Sequence, residues 1–409
     1  MQIEFKKFLC IFKIYIKSNI ILYMNDIFYD KIKTLIKTLD LKKVNLKLIK
    51  TNSKKLLKIY QYLEKLWNQI DLKQIKHNIY NNSNDEYNKI VNILKENFLS
   101  SNINIINIIN KSKYIHCLSY SNIYFYWLSD LEEKVQDNIN YKLPISMFKI
   151  SLCLNQYKFN NDDIIPRYVI WIPINKKRDF YYDKITKTNL KKTEENFEAF
   201  VASGVTFGLE PRITIITRYE EVEKLLIHEL IHNYNIDGSG FHNKLNDILN
   251  QYKIIKNNTN GKNKNYHYDY SIYESYTELL STYFYLLFSS IKSNILLDLN
   301  ILMSKIIIEL IYSYNTIANL INLNGYSNYE EFRSKVFFMG DICKYEYYYI
   351  KALMYNNYIL EFGNDLKDFK CIYDDIIEMI KKNQKNDDLL MESIYNNYVV
   401  NKNFKYQMH

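Results

Sequence analysis

The sequence predicts an α+β protein: a small twisted sheet and one special helix in mid-chain, between helical N- and C-terminal regions. Three observations predict it. All four prolines of the 409 residues fall between Pro144 and Pro211, where they bound two short β-branched and aromatic runs. Upstream of that region apolar residues recur at helical spacing. Downstream of Pro211 no proline interrupts the chain, which reads as helical after Ser290 with glycine turns near Asn324-Gly325 and Phe362-Gly363. The expected division is a helical region over 1–140, a sheet-bearing region with the functional helices over 141–290, and a helical region over 291–409.

Residues 26–100 read as helical. Within them Leu56, Ile59, Leu63, Leu66, Trp67 and Ile70 form one apolar stripe, with lysines over much of the other face, as on a core-facing helix. The Asn/Ile-rich run from Ser101 to Lys113 is of low complexity and carries little information. Pro166 to Pro173 encloses Arg-Tyr-Val-Ile-Trp-Ile, a strand; Arg212 to Thr217 is a second strand, opened by Pro211. A helix is then expected from near Tyr219-Glu220-Glu221, whose acidic residues suit the positive end of the helix dipole. It stops before Asp237-Gly238-Ser239-Gly240. Phe241 to Tyr252 reads as a further helix, Lys256 to Asn265 as a polar surface loop, and Tyr273 onward as a strong helix. After Ser290 helices continue to the end, with turns near Asn324-Gly325 and Phe362-Gly363.

Composition narrows the function classes. The chain is 47% hydrophobic and 24% charged, enough to build a sizeable core. Its enrichment in Ile, Lys, Asn and Tyr follows A/T-rich codons, so the net charge of +9 is read as genome composition. The lysines are spread along the chain rather than clustered, so a solvated surface is expected and no nucleic-acid partner. The five cysteines are an odd number, widely spaced, with no Cys-x-x-Cys, which argues against a disulfide framework and a thiolate zinc site and for a reducing, intracellular compartment. The apolar stretch from Phe8 to Phe12 is broken by Lys13 and Lys17, and no small-residue cleavage site follows it. The best candidate for a membrane span, Leu279 to Ile291, is too short for one and reads as a core helix.

Leu225-Leu226-Ile227-His228-Glu229-Leu230-Ile231-His232 contains the pattern His-Glu-x-x-His inside the expected helix. Residues four apart share a helix face, so His228 and His232 can point two imidazoles at one metal ion. Glu229, at the edge of that face, can reach a water on the metal as a general base. The surrounding leucines and isoleucines imply a largely buried helix, where unpartnered histidines are costly. A sheet leading directly into such a helix is also the order of elements in the zincins. By that resemblance the central region is zincin-like, and an extended peptide would pair with the sheet's edge strand along the cleft. The sequence does not say which strand is that edge.

A catalytic zinc needs a third protein ligand, with the fourth position left for water. The metzincin pattern requires Gly at 235 and His at 238; Asn235 and Gly238 exclude it. His242 gives a looser His-x9-His pattern, somewhat like that of proteases acting on DNA–protein crosslinks. Glu274 and Glu278 lie four apart on one face of the apolar helix beginning near Tyr273. With them the sequence resembles the gluzincins, zinc peptidases with His-Glu-x-x-His and a downstream Glu ligand, in particular the thermolysin-like and lethal factor-type sites. The resemblance covers about residues 219–288 and rests on two short motifs. It implies Glu274 as the ligand and Glu278 as the partner that orients His228; the reverse assignment, Glu278 as ligand, stays open. It also implies a tyrosine donor shortly before the ligand Glu: Tyr268, ranked ahead of Tyr266 and Tyr270. Arg218 through Asp237 further resembles metalloproteases of large DNA viruses.

The expected function is therefore a zinc-dependent endopeptidase acting on a protein or peptide. Two other classes stand beside it: a zincin-fold binding protein without activity, and a crosslink-type protease using His242. The intact Glu229 speaks against the first and the absence of a focused basic patch against the second.

Overall fold

The computed structural model describes residues 44–97, 108–132, 142–159, 165–174, 204–207, 212–217, 219, 221–237, 272–323, 327–331 and 346–360, with scattered positions between 372 and 395. The protein is α+β. It divides into two compact units, residues 62–236, and residues 1–61 together with 237–408.

The first unit is built on a six-stranded mixed sheet of order β1-β2-β3-β4-β6-β5. The strands are β1 (Lys76–Asn81), β2 (Tyr114–Tyr120), β3 (Ile123–Ser129), β4 (Arg167–Trp171), β5 (Gly204–Phe207) and β6 (Arg212–Ile216). β1, β2 and β3 are antiparallel neighbours, β3–β4 and β4–β6 are parallel, and β5 closes the row antiparallel to β6. β4 and β6 are the two strands expected from the proline-bounded runs. β4 lies between parallel partners and is buried on both faces, which is why it reads as a continuous apolar run.

β1, β2 and β3 are a departure from the helical reading of residues 1–140. Val-poor, Tyr- and Asn-rich β1 carries little strand propensity, and four consecutive residues of β2 are buried, so no period-2 alternation is visible there. Their pairing supplies what the local pattern lacks.

Helix α2 (Asp85–Asn97) packs Tyr87, Ile90 and Leu94 on one face of the sheet, against Ile115, Tyr126, Leu128, Ile170 and Ile215. The opposite face receives α3 (Lys142–Phe159) and α4 (Val222–Asn233): Phe148 meets Phe125 with ring centroids 6.3 Å apart, and the Tyr234 hydroxyl donates to the Ser151 carbonyl at 3.1 Å. Cys117 and Cys153 are free thiols, and burial pushes each up to about 12, so neither is a nucleophile at neutral pH.

The second unit is helical in its described residues. It contains most of α1 (Leu46–Gln69), then α5 (Ile272–Lys292), α6 (Leu299–Leu323), a π-helical turn Glu346–Ile350 and α7 (Lys351–Asn357). Asn52 brackets the chain after α7, donating from Nδ2 to the Tyr358 carbonyl at 2.9 Å and accepting from the Leu360 N–H at 3.0 Å. The stretch Leu279 to Ile291 is a core helix, with Leu280, Phe284, Leu287 and Ile291 buried. Among the described residues one stretch, Leu299–Ala318 of α6, is long and apolar enough to cross a membrane; 72% of it is buried within the fold, and it contains Lys305 and Glu309.

Candidate metal centre

α4 carries both histidines, and its position is fixed at both ends. At the start Glu221 has a positive φ of 51°, and Glu223 in the first turn accepts from Ser146 Oγ at 2.6 Å. At the end Asn235 takes the left-handed conformation with φ 52°; its N–H donates to the His232 carbonyl at 2.9 Å and the Ile236 N–H to the Ile231 carbonyl at 2.9 Å. This pair of bonds is a Schellman cap with asparagine in the place usually held by glycine. The helix therefore stops through Asn235, before the glycines that follow. Leu226, Ile227, Leu230 and Ile231 are fully buried, and His228 and Glu229 are each 7% exposed.

The pitch of α4 brings the two imidazoles together. His228 Nε2 and His232 Nε2 are 3.2 Å apart, with ring centroids 4.9 Å apart and planes at 84°. Two ligand nitrogens on a tetrahedral zinc, each at 2.0–2.1 Å from it, stand about 3.3 Å apart. With a proton in place of the ion, the same atoms make a ring-to-ring hydrogen bond. Glu274, the expected third donor, lies on α5 in the other compact unit. Two imidazoles and a carboxylate fit a zinc that keeps one position open.

Glu229 is held from β5. Thr206 Oγ1 lies 2.9 Å from Glu229 Oε2 and 3.0 Å from its backbone carbonyl. Gly204, two residues earlier on the same face of that strand, comes so close that a β-carbon there would stand 2.7 Å from Glu229 Cγ. The other two residues of β5, Val205 and Phe207, pack on the far side with the α2 core. Sequence reading did not find β5. The alternation of small or polar Gly204 and Thr206 with apolar Val205 and Phe207 is the signal that could have located it.

Glu278, on α5 four residues after Glu274, is 8% exposed; its Oε1 accepts from Lys351 Nζ at 3.2 Å and its Oε2 from Ser281 Oγ at 3.2 Å. Lys351, itself 1% exposed, follows the π-helical turn, and no local pattern marks it as the partner of Glu278. Tyr268, Tyr266, Tyr270 and His242 lie outside the described residues.

Compared with known proteins, the chain matches no family model, no curated protein and no solved structure.

Proposed function

We propose that the chain is a zinc-dependent endopeptidase of gluzincin type, with a zincin-like arrangement of sheet and helix. The observation that carries this reading is the 3.2 Å separation of His228 Nε2 and His232 Nε2 on one buried helix, with Glu229 between them in sequence. His228, His232 and Glu274 would hold the ion, and Tyr268 would donate to the developing oxyanion. When bound, zinc supplies Lewis acidity and an acidified water. Glu229 takes the proton of the attacking water and passes it to the leaving amide nitrogen. Glu278, which accepts from Lys351 Nζ at 3.2 Å, would be the partner that orients His228. β5, the last strand of the sheet among the described residues and in contact with Glu229, would pair with an extended peptide by strand addition.

The test is metal content of the purified chain by mass spectrometry, beside Glu274→Ala and His242→Ala. The expected result is about one zinc per chain, lost in Glu274→Ala and kept in His242→Ala. Retention in Glu274→Ala with loss in His242→Ala would move the third ligand to His242 and overturn the gluzincin assignment.

A further inference from the structure

A buried chain of hydrogen bonds runs from Arg167 to Glu229, entirely within one unit. Arg167, at the start of β4, is 1% exposed and donates from its Nη1 to Asn233 Oδ1 at 2.6 Å and to the Asn233 carbonyl at 3.0 Å. Asn233 is the last residue of α4. Its Nδ2 donates to Thr214 Oγ1 at 2.9 Å. Thr214 Oγ1 stands 3.2 Å from Thr206 Oγ1, which is 2.9 Å from Glu229 Oε2.

The direction of every link follows from what each group can do. A guanidinium only donates, so the Asn233 oxygen faces Arg167 and its NH₂ must face Thr214. Thr214, fully buried, therefore accepts from Asn233 and spends its own proton on Thr206. The ionised carboxylate and the backbone carbonyl of Glu229 only accept, so the Thr206 proton goes to Glu229 and Thr206 accepts from Thr214. All dipoles point the same way, from a buried cation to a carboxylate, the arrangement in which successive bonds strengthen one another.

We infer that Thr206, Thr214, Asn233 and Arg167 form a relay that positions Glu229 as the base: it fastens Oε2 to β5 and so sets the direction of Oε1, the oxygen that takes the proton. The relay also ties the C-terminus of α4 to β4 and β6, because Arg212 Nη1 donates to the same Asn233 carbonyl at 2.6 Å. One interaction set thus fixes both the base and the helix that carries His232. Thr206 and Arg167 are positioning residues. Only the chemical use of the relay rests on the peptidase reading.

The three tryptophans, Trp67, Trp127 and Trp171, all lie in the unit that holds the relay, so urea unfolding followed by their fluorescence reports on it. Thr206→Val keeps the shape and removes the donor. It is expected to lower the folding equilibrium constant of this unit about tenfold, since a hydrogen bond to a charged group is broken. Thr206→Ser is expected to restore it to within about threefold. In a Glu229→Leu background Thr206→Val is expected to cost less than in the wild type, because the carboxylate acceptor is gone and only the backbone carbonyl and Thr214 remain as partners. An equal cost in both backgrounds, or a serine that does not rescue, overturns the relay. On the zinc-loaded chain with a cleaved peptide, Thr206→Val is expected to lower kcat about tenfold with KM and zinc content unchanged. A fall carried by KM alone would overturn the positioning role. If the unfolding cycle shows the coupling but the chain binds no zinc, the peptidase reading fails and the relay stands. If the chain binds zinc and cleaves peptide without the coupling, the relay fails and the peptidase reading stands.

Discussion

Gly204 and Glu229 are in contact so close that the glycine cannot be replaced without moving the glutamate: a β-carbon on Gly204 would meet Glu229 Cγ and Oε1 at 2.7 Å and Cδ at 2.9 Å. The obstructing atoms belong to one side chain, which can rotate, so Gly204→Ala is expected to fold and to displace the carboxylate. A misplacement of about an ångström in a catalytic group costs roughly a hundredfold in rate. The expected outcome is zinc content like the wild type with peptide cleavage lowered about a hundredfold. Unchanged cleavage in Gly204→Ala would show that the base is not where β5 holds it.

Glu229 is not a ligand in this mechanism, so Glu229→Gln is expected to keep its metal and its helix, glutamine being as good a helix former. Loss of a general base costs about 10² to 10⁴-fold. Peptide-library cleavage by Glu229→Gln is therefore expected to drop at least about a hundredfold. Undiminished cleavage would sink the mechanism.

The Glu278–Lys351 pair is buried, with side chains 11% and 1% exposed and a 3.2 Å contact. Removing one partner leaves an uncompensated charge in the core, at a cost of roughly 3–5 kcal/mol. Lys351→Met is thus expected to lower amide protection in α5 and α7 about a hundredfold or more in hydrogen exchange. The double variant Glu278→Gln with Lys351→Met should recover most of it. A single variant as well protected as the wild type would show that the pair carries no such charge compensation.

Lys305 on α6 donates to Ser290 Oγ at 2.9 Å, and burial pushes its ammonium down to about 8, with Glu309 pulling the other way. Unfolded, the group holds its proton up to about pH 10.4. Between those values the unfolded chain binds more protons than the folded one, so stability rises with pH across that window and is flat in this respect below it. Lys305→Met removes the effect. The wild type is expected to gain up to about 2 kcal/mol on the variant between pH 8 and 9.5. A difference that stays constant over that range refutes the depressed value.

Single helices, and strands with a strong local pattern, can be read from the chain alone. β4 and β6 were legible because prolines bound their apolar runs, and α5 because its apolar residues recur without a break. The facing of His228 and His232 was legible because it depends only on the pitch of one helix. The tertiary structure decided everything that depends on who stands opposite. β1, β2 and β3 are strands through cross-strand pairing, not through their own alternation. β5 is too short to announce itself, yet its antiparallel register with β6 sets Thr206 opposite Thr214 and both within reach of α4. Arg167 reads as a strand residue like any other; only folding buries its charge against Asn233, 66 positions away. The reason is physical: helix geometry repeats over four residues and is written locally, whereas a hydrogen bond between distant residues exists only once the sheet and helix have packed.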